Sequence, residues 1–147
     1  MTFLFLYPAI GIGILGILDW GNFLLVGWIR IVLGIPPFSG GLFLFLWAAA
    51  VLGAGRMSGG DGTLVIRGPF RFTRNPQYLG CFLMLAGWSL LSAAPSAAAA
   101  ALAAVLPLAL VPFAEEPWLR KRYGSAFDDY CRRVPRFLRI PPGCTTG

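Results

Sequence analysis

The chain has 147 residues, of which 57% are hydrophobic and 12% are charged, and its mean hydropathy is +0.73. A soluble domain normally carries about 25% charged residues. The composition therefore excludes an ordinary soluble domain and predicts an integral membrane protein. The net charge is +6 and histidine is absent, which excludes Ser-His-Asp catalysis, HExxH metal sites and histidine proton relays.

Five apolar runs, each of roughly 13–18 residues, are somewhat shorter than the ~20 residues of a full membrane crossing. They are Thr2–Leu18, Phe23–Ile35, Gly41–Gly55, Leu79–Ala94 and Ala97–Ala114. Arg30 interrupts the second run, so we expect about five transmembrane helices, with four as the alternative. The first run lacks a basic n-region and a cleavage site, which favours a retained span over a secretory signal. The predicted fold is all-α, a polytopic integral membrane helical bundle.

A polar segment before the fourth run carries three arginines, Arg67, Arg71 and Arg74, and ends in an Asn-Pro pair. Asn75 is a good N-cap and Pro76 suits the first helical position, where its missing N–H costs nothing. The start of a helix carries partial positive charge and attracts a carboxylate or phosphate. We therefore predict a helix from this pair, with an anion-attracting end.

Paired carboxylates, Glu115 and Glu116, end the last apolar run, in which Pro107 and Pro112 predict a bend. Pro117 should restrict Glu116 to an extended backbone and open a short helix.

That short helix should run through Tyr123, where Gly124 stops it. Ser125 and Asp128 resemble a capping box and predict a further helix to about Arg133. An apolar stripe at spacings of three and four makes this C-terminal segment an amphipathic helical lid on the cytoplasmic membrane surface. Its residues are Trp118, Leu119, Tyr123, Phe127 and Tyr130.

The placement of charge predicts the topology. Basic residues cluster before the fourth run and after the fifth, whereas the turn at Ala94-Pro95-Ser96 carries no charge. By the positive-inside rule, both basic segments are cytoplasmic and the turn faces the other side. The charges lie at span ends, where they compete for anionic lipid, so we predict no nucleic-acid binding. We expect one domain over residues 1–140 and a flexible tail over 141–147, in the bacterial inner membrane, with the C-terminus and active site cytoplasmic.

The three cysteines, Cys81, Cys131 and Cys144, have no CxxC spacing, and two of them are predicted to face a reducing compartment. They therefore suggest neither disulfides nor zinc. Six acidic residues leave little for a metal cage. We expect no metal and an organic cofactor.

Two stretches carry a family resemblance. Residues 68–80 are similar to the Gly-Pro-Tyr-Arg-x-x-Arg-His/Asn-Pro-x-Tyr signature of the isoprenylcysteine carboxyl methyltransferase and phospholipid methyltransferase superfamily. Residues 115–124, continuing to 130–136, resemble its second motif. The resemblance covers about Gly41 to Arg139.

The resemblance implies a membrane methyltransferase that uses S-adenosyl-L-methionine (AdoMet), bound at the cytoplasmic ends of the last spans, and acts on a lipid or lipophilic small molecule. The implied catalytic residues are Arg71, Arg74 and Asn75. The implied cofactor-binding residues are Asn75, Pro76, Tyr78, Gly80, Glu115 and Glu116. Of the glutamates, Glu116 is slightly preferred for the AdoMet ammonium, with its neighbour facing a basic group such as Arg120. Members acting on prenylcysteine usually carry histidine where this chain has Asn75, which questions that acceptor more than the methyl donor.

Two other functions stay open. Sterol reductases resemble this C-terminal half, which suggests an NADPH-dependent membrane reductase, although the chain lacks their extra spans. A catalytically silent membrane protein with the same fold is the other alternative. The acceptor atom and the oligomeric state cannot be read from the sequence.

Overall fold

The computed structural model describes residues 2–18, 20, 27–57 and 64–137. Within these residues the chain is all-helical and has no strand, as predicted. The elements are α1 (Thr2–Leu18), α2 (Gly27–Met57), a 3-10 turn (Gly68–Arg71), α3 (Pro76–Ser92), α4 (Pro95–Tyr123) and α5 (Ser125–Arg133). The predicted tail at 141–147, with Cys144, lies outside the described residues.

Helix α2 corrects the predicted number of spans. The runs Phe23–Ile35 and Gly41–Gly55 were expected as two spans, but residues 27–57 form a single helix that contains Pro36 and Pro37. Each proline removes one intrahelical donor, which makes the sequence look interrupted. A helix in an apolar medium nevertheless keeps its remaining backbone bonds, because no water can replace them. Five transmembrane helices are therefore not confirmed.

Two of the described helices are long and apolar enough to cross a membrane, namely residues 27–53 of α2 and the whole of α4. In the most apolar 18-residue stretch of each helix, only 17% of the residues are buried. Large apolar side chains are correspondingly exposed, such as Leu102 at 73% and Leu106 at 70%. Such surfaces suit contact with lipid chains better than contact with water.

The chain divides into two compact units. One comprises residues 1–42 and 81–108, and the other comprises residues 43–80 and 109–147. In the first unit, the helices pack through glycines. A Cβ atom on Gly87 would lie 2.7 Å from Cα of Phe38, and a Cβ on Gly34 would lie 2.6 Å from Cγ of Leu91. The Trp88 indole donates to the carbonyl of Ile12 at 3.2 Å. These close approaches require residues without side chains.

In the second unit, α4 runs through Pro117 to Tyr123 without a break, so the predicted extended backbone at Glu116 and separate short helix are wrong. The predicted stop is confirmed, because Gly124 has φ 56° and ends α4. Helix α5 has the predicted bounds, yet Gly124 rather than Ser125 is its N-cap. Asp128 instead pairs with Arg120 at 2.8 Å.

Candidate functional site

A small apolar core fixes α5 against the rest of its unit. Phe127, Tyr130, Cys131 and Val134 are buried together, and partly buried Leu64, Leu119 and Tyr123 pack against them. The predicted apolar stripe is therefore largely confirmed, although Trp118 is 57% exposed.

The Tyr130 hydroxyl donates to the carbonyl of Phe70 at 2.7 Å, which ties α5 to the 3-10 turn. Burial raises the pKa of the Tyr130 phenol above its usual value, so it stays a neutral donor at physiological pH.

The segment that follows α5 is bonded to the residues that precede α3. The backbone N–H of Arg74 donates to the carbonyl of Pro135 at 2.9 Å. The Arg136 carbonyl accepts from the Thr73 hydroxyl at 3.1 Å and from the Asn75 side-chain amide at 3.0 Å. Three consecutive residues therefore hold the C-terminal segment in place.

Glu116 lies between two guanidinium groups. Arg136 binds it through both carboxylate oxygens, with Nε to Oε1 at 2.8 Å and Nη2 to Oε2 at 2.5 Å. Arg74 Nη1 lies 3.1 Å from Oε1. The Arg136 guanidinium also stacks over the Phe113 ring, 3.8 Å from its centroid. Side-chain exposures of 10%, 20% and 26% for Arg74, Glu116 and Arg136 place this cluster largely out of water.

Glu115 has a different environment from its neighbour. Its Oε2 accepts a hydrogen bond from the Tyr78 hydroxyl at 3.1 Å, and Tyr78 is only 8% exposed. Among the described residues, no arginine or lysine forms an ion pair with Glu115. Adjacent positions on a helix lie about 100° apart around its axis, so the two carboxylates meet different partners.

Arg74 is the most enclosed cation of this region. Its Nη1 also approaches the Cys131 sulfur at 2.6 Å. Its Nε is buried and has no hydrogen-bond partner among the described residues. A buried donor without an acceptor is costly, so this nitrogen is a marker of a polar site rather than of plain packing.

The structure brings together most of the site residues that the sequence predicted. Arg74, Asn75, Tyr78, Glu115 and Glu116 all belong to the second unit and are joined by the bonds above. Pro76 and Gly80 are buried in the first turns of α3.

Arg71 does not join this network, because it ends the 3-10 turn with an exposed side chain. Arg120, expected beside the glutamates, pairs with Asp128. Thr73, Cys131 and Arg136 belong to this network although they were not among the predicted site residues. Only the position of Arg136 at the end of the second motif could have pointed to it.

Groups of three or more cysteine or acidic side chains that could hold a metal ion are absent from the described residues.

The phospholipid methyltransferase family model matches residues 29–126, about two thirds of the chain. The protein belongs to this family, which is part of the isoprenylcysteine and phospholipid methyltransferase superfamily. The matched stretch includes Arg74, Asn75, Tyr78 and both glutamates, and it ends before Arg136.

The chain is also similar to steroid 5-alpha-reductase DET2 from Solanum lycopersicum, with 32% identity over 65 residues. That stretch covers 44% of this chain and 25% of the relative, so the chain matches about a quarter of the relative's length. No solved structure matches the chain. Family membership and two apolar helices of spanning length together indicate a membrane protein.

Proposed function

We propose that the protein is an AdoMet-dependent methyltransferase that acts on a lipid or lipophilic small molecule at the cytoplasmic surface of the membrane. The observation that carries the proposal is the Tyr78–Glu115 pair beside the Arg74–Glu116–Arg136 cluster, within a chain of the phospholipid methyltransferase family.

The donor set fits the amino-acid end of AdoMet. An ammonium group requires a carboxylate. Glu115 offers one that Tyr78 orients and that no cation of the described residues pairs with. A carboxylate requires donors, and the buried Nε of Arg74 is a donor that meets no acceptor in the described part of the chain. Charge-assisted hydrogen bonds of both kinds are among the strongest in proteins. Glu115, rather than the Glu116 slightly preferred from the sequence, is therefore the better candidate for the ammonium.

The residues of the chain would act by positioning and by excluding water. AdoMet would supply an activated methyl group, and in-line transfer needs the acceptor held close and aligned. Helix α4 has 29 residues, which corresponds to about 43 Å, whereas the hydrocarbon core is ~30 Å thick. Its last turns, with Glu115 and Glu116, would therefore lie at the headgroup level, where a lipid presents its polar atoms.

A reductase is the alternative that a specific observation favours. The similarity to steroid 5-alpha-reductase DET2 allows an NADPH-dependent reaction on a lipophilic substrate, but that match covers a smaller part of this chain than the methyltransferase family does. A catalytically silent protein would bind neither ligand.

Ligand binding to the detergent-solubilised protein separates these functions. We expect isothermal titration calorimetry to give a dissociation constant for AdoMet in the micromolar range, roughly −8 kcal/mol, and far weaker binding of NADPH. Binding of NADPH without AdoMet would overturn the methyltransferase proposal, and binding of neither would support the silent protein.

The role of Glu115 is tested by a matched pair of variants. Glu115→Gln keeps an acceptor for Tyr78 but removes the charge, so AdoMet should bind about 10- to 150-fold more weakly, as expected for a charged hydrogen bond. Glu116→Gln should weaken AdoMet less, because arginines already neutralise this carboxylate. If Glu116→Gln weakened AdoMet binding more than Glu115→Gln did, Glu116 would be the residue that binds the ammonium.

A further inference from the structure

Arg136 connects three separate parts of the second unit. Its guanidinium binds Glu116 in α4 and stacks on Phe113, and its carbonyl accepts hydrogen bonds from Thr73 and Asn75 at the start of α3. Its side chain and its backbone are thus fixed by different segments, a condition that leaves little rotational freedom.

The form of the contact with Glu116 favours arginine specifically. Two parallel N–H···O bonds from one guanidinium match the two oxygens of a carboxylate, and a planar cation can stack on a ring at the same time. Because Arg74 is a second cation beside Glu116, at 3.1 Å, a ligand ammonium would have to displace at least one guanidinium to bind there. At Glu115, among the residues that the structure describes, it would meet the Tyr78 hydroxyl and no paired cation.

We infer that Arg136 is a positioning residue of the AdoMet site: it neutralises Glu116, holds Asn75 through its carbonyl, and so leaves Glu115 as the carboxylate that receives the ligand ammonium. This inference rests on the proposed function. It gives a role to a residue that lies beyond the stretch matched by the family.

Arg136 should therefore affect binding of the amino-acid group of AdoMet more than binding of its adenosine part. Loss of its guanidinium would leave Glu116 with one arginine and loosen the Asn75 contact, which disturbs the part of the site that would hold the amino-acid group. The adenosine part should be affected little. A ligand without the amino-acid group therefore separates positioning from general loss of structure, and 5′-methylthioadenosine is such a ligand.

The experiment measures the binding of AdoMet and of 5′-methylthioadenosine to the full chain in detergent, together with the midpoint of thermal unfolding. Arg136→Ala should raise the AdoMet dissociation constant by about 10-fold. Residues that orient the ligands of a metal ion show a comparable effect, since their loss lowers metal affinity by about 10-fold or more. The dissociation constant of 5′-methylthioadenosine should change less than about twofold. Arg136→Lys keeps the positive charge but cannot form two parallel hydrogen bonds to Glu116. Its AdoMet dissociation constant should lie between those of Arg136→Ala and the parent. Arg133→Ala, at an exposed position in the same segment, is the control and should bind like the parent.

The variants can also be combined with Glu116→Gln. If Arg136 acts through Glu116, the effects of Arg136→Ala and Glu116→Gln on AdoMet affinity will not add.

Unchanged AdoMet affinity in Arg136→Ala, or an equal loss for AdoMet and 5′-methylthioadenosine, would overturn the inference while leaving the proposed function standing. Should Arg136→Ala not fold, Arg136→Lys decides by the same criterion. If the parent itself binds no AdoMet, the proposed function fails, and the inference fails with it.

Discussion

Asn75 shows how a single residue can join two separate segments of the chain. The sequence suggested that it caps α3 and contacts ligand, and α3 does begin at the next residue, Pro76. In the structure its amide donates to the Arg136 carbonyl, while its backbone N–H donates to the Thr73 hydroxyl at 3.3 Å. The side chain thus fastens the C-terminal segment.

A donor is what this position needs, which leads to the first prediction. Asn75→Asp would place a carboxylate against the Arg136 carbonyl and should destabilise the protein by about 1–3 kcal/mol, the cost of an unsatisfied polar group. Asn75→His keeps a ring N–H donor and should be closer to the parent. Thermal unfolding in detergent measures both, and equal midpoints for Asn75→Asp and the parent would contradict the fastening role.

The two glutamates should differ in stability as well as in ligand binding. Glu116→Gln leaves two largely buried guanidinium groups without their anion, and should destabilise the protein by about 1.5–3 kcal/mol. Glu115→Gln still accepts the Tyr78 hydroxyl and should change stability little. Thermal unfolding without ligand provides the comparison, and equal midpoints would mean that the Arg74–Glu116–Arg136 cluster contributes no net stability.

At the residue scale, the sequence predicted which side chains come together in this region better than which of them pair. Arg74, Tyr78 and Glu115 were identified as site residues because family motifs contain them. The partner of Glu116 could not be predicted, since Arg136 lies 20 residues away. That distance is closed by the fold-back at Gly124 and the packing of Phe127 and Tyr130, which are tertiary effects.

At the element scale, the ends of helices were easier to predict than their continuity. Pro76 and Gly124 mark a helix start and a helix end by local backbone chemistry, and both are confirmed. Pro36, Pro37 and Pro117 also suggested boundaries, but each lies inside a long helix. A proline costs one hydrogen bond, whereas a break in an apolar medium leaves several unsatisfied backbone groups.

The packing of α2 against α3 gives the next prediction. Gly87→Ala would bring a methyl group into the backbone of Phe38, which cannot move away as a flexible side chain would. We expect destabilisation of about 1–3 kcal/mol from overpacking. Gly40→Ala is the control, because nothing lies within 4 Å of a Cβ atom there, and it should be neutral or slightly stabilising. If both variants unfold at the same temperature, the close approach of these helices is not maintained in detergent.

At the scale of the whole molecule, the distribution of charge predicts how the chain is oriented in a membrane. The last turn of α4 carries Arg120, Lys121 and Arg122, whereas the turn before α4 has no charged residue. Since α4 is one continuous apolar helix, its two ends should face opposite sides, with the basic end in the cytoplasm. The site described above belongs to the basic end.

This orientation is tested by labelling single cysteines in intact cells with a membrane-impermeant maleimide. Native Cys131 was expected to report on the cytoplasmic side, but it is 1% exposed and contacts Arg74, so it should react only after denaturation. The exposed position Arg133 is better suited. In a chain whose Cys81 and Cys144 are serine, Ser96→Cys should label from outside, and Arg133→Cys only after the membrane is permeabilised. Labelling of both from the same side would mean that α4 does not cross the membrane, and Glu115 and Glu116 would then need another explanation than a cytoplasmic ligand site.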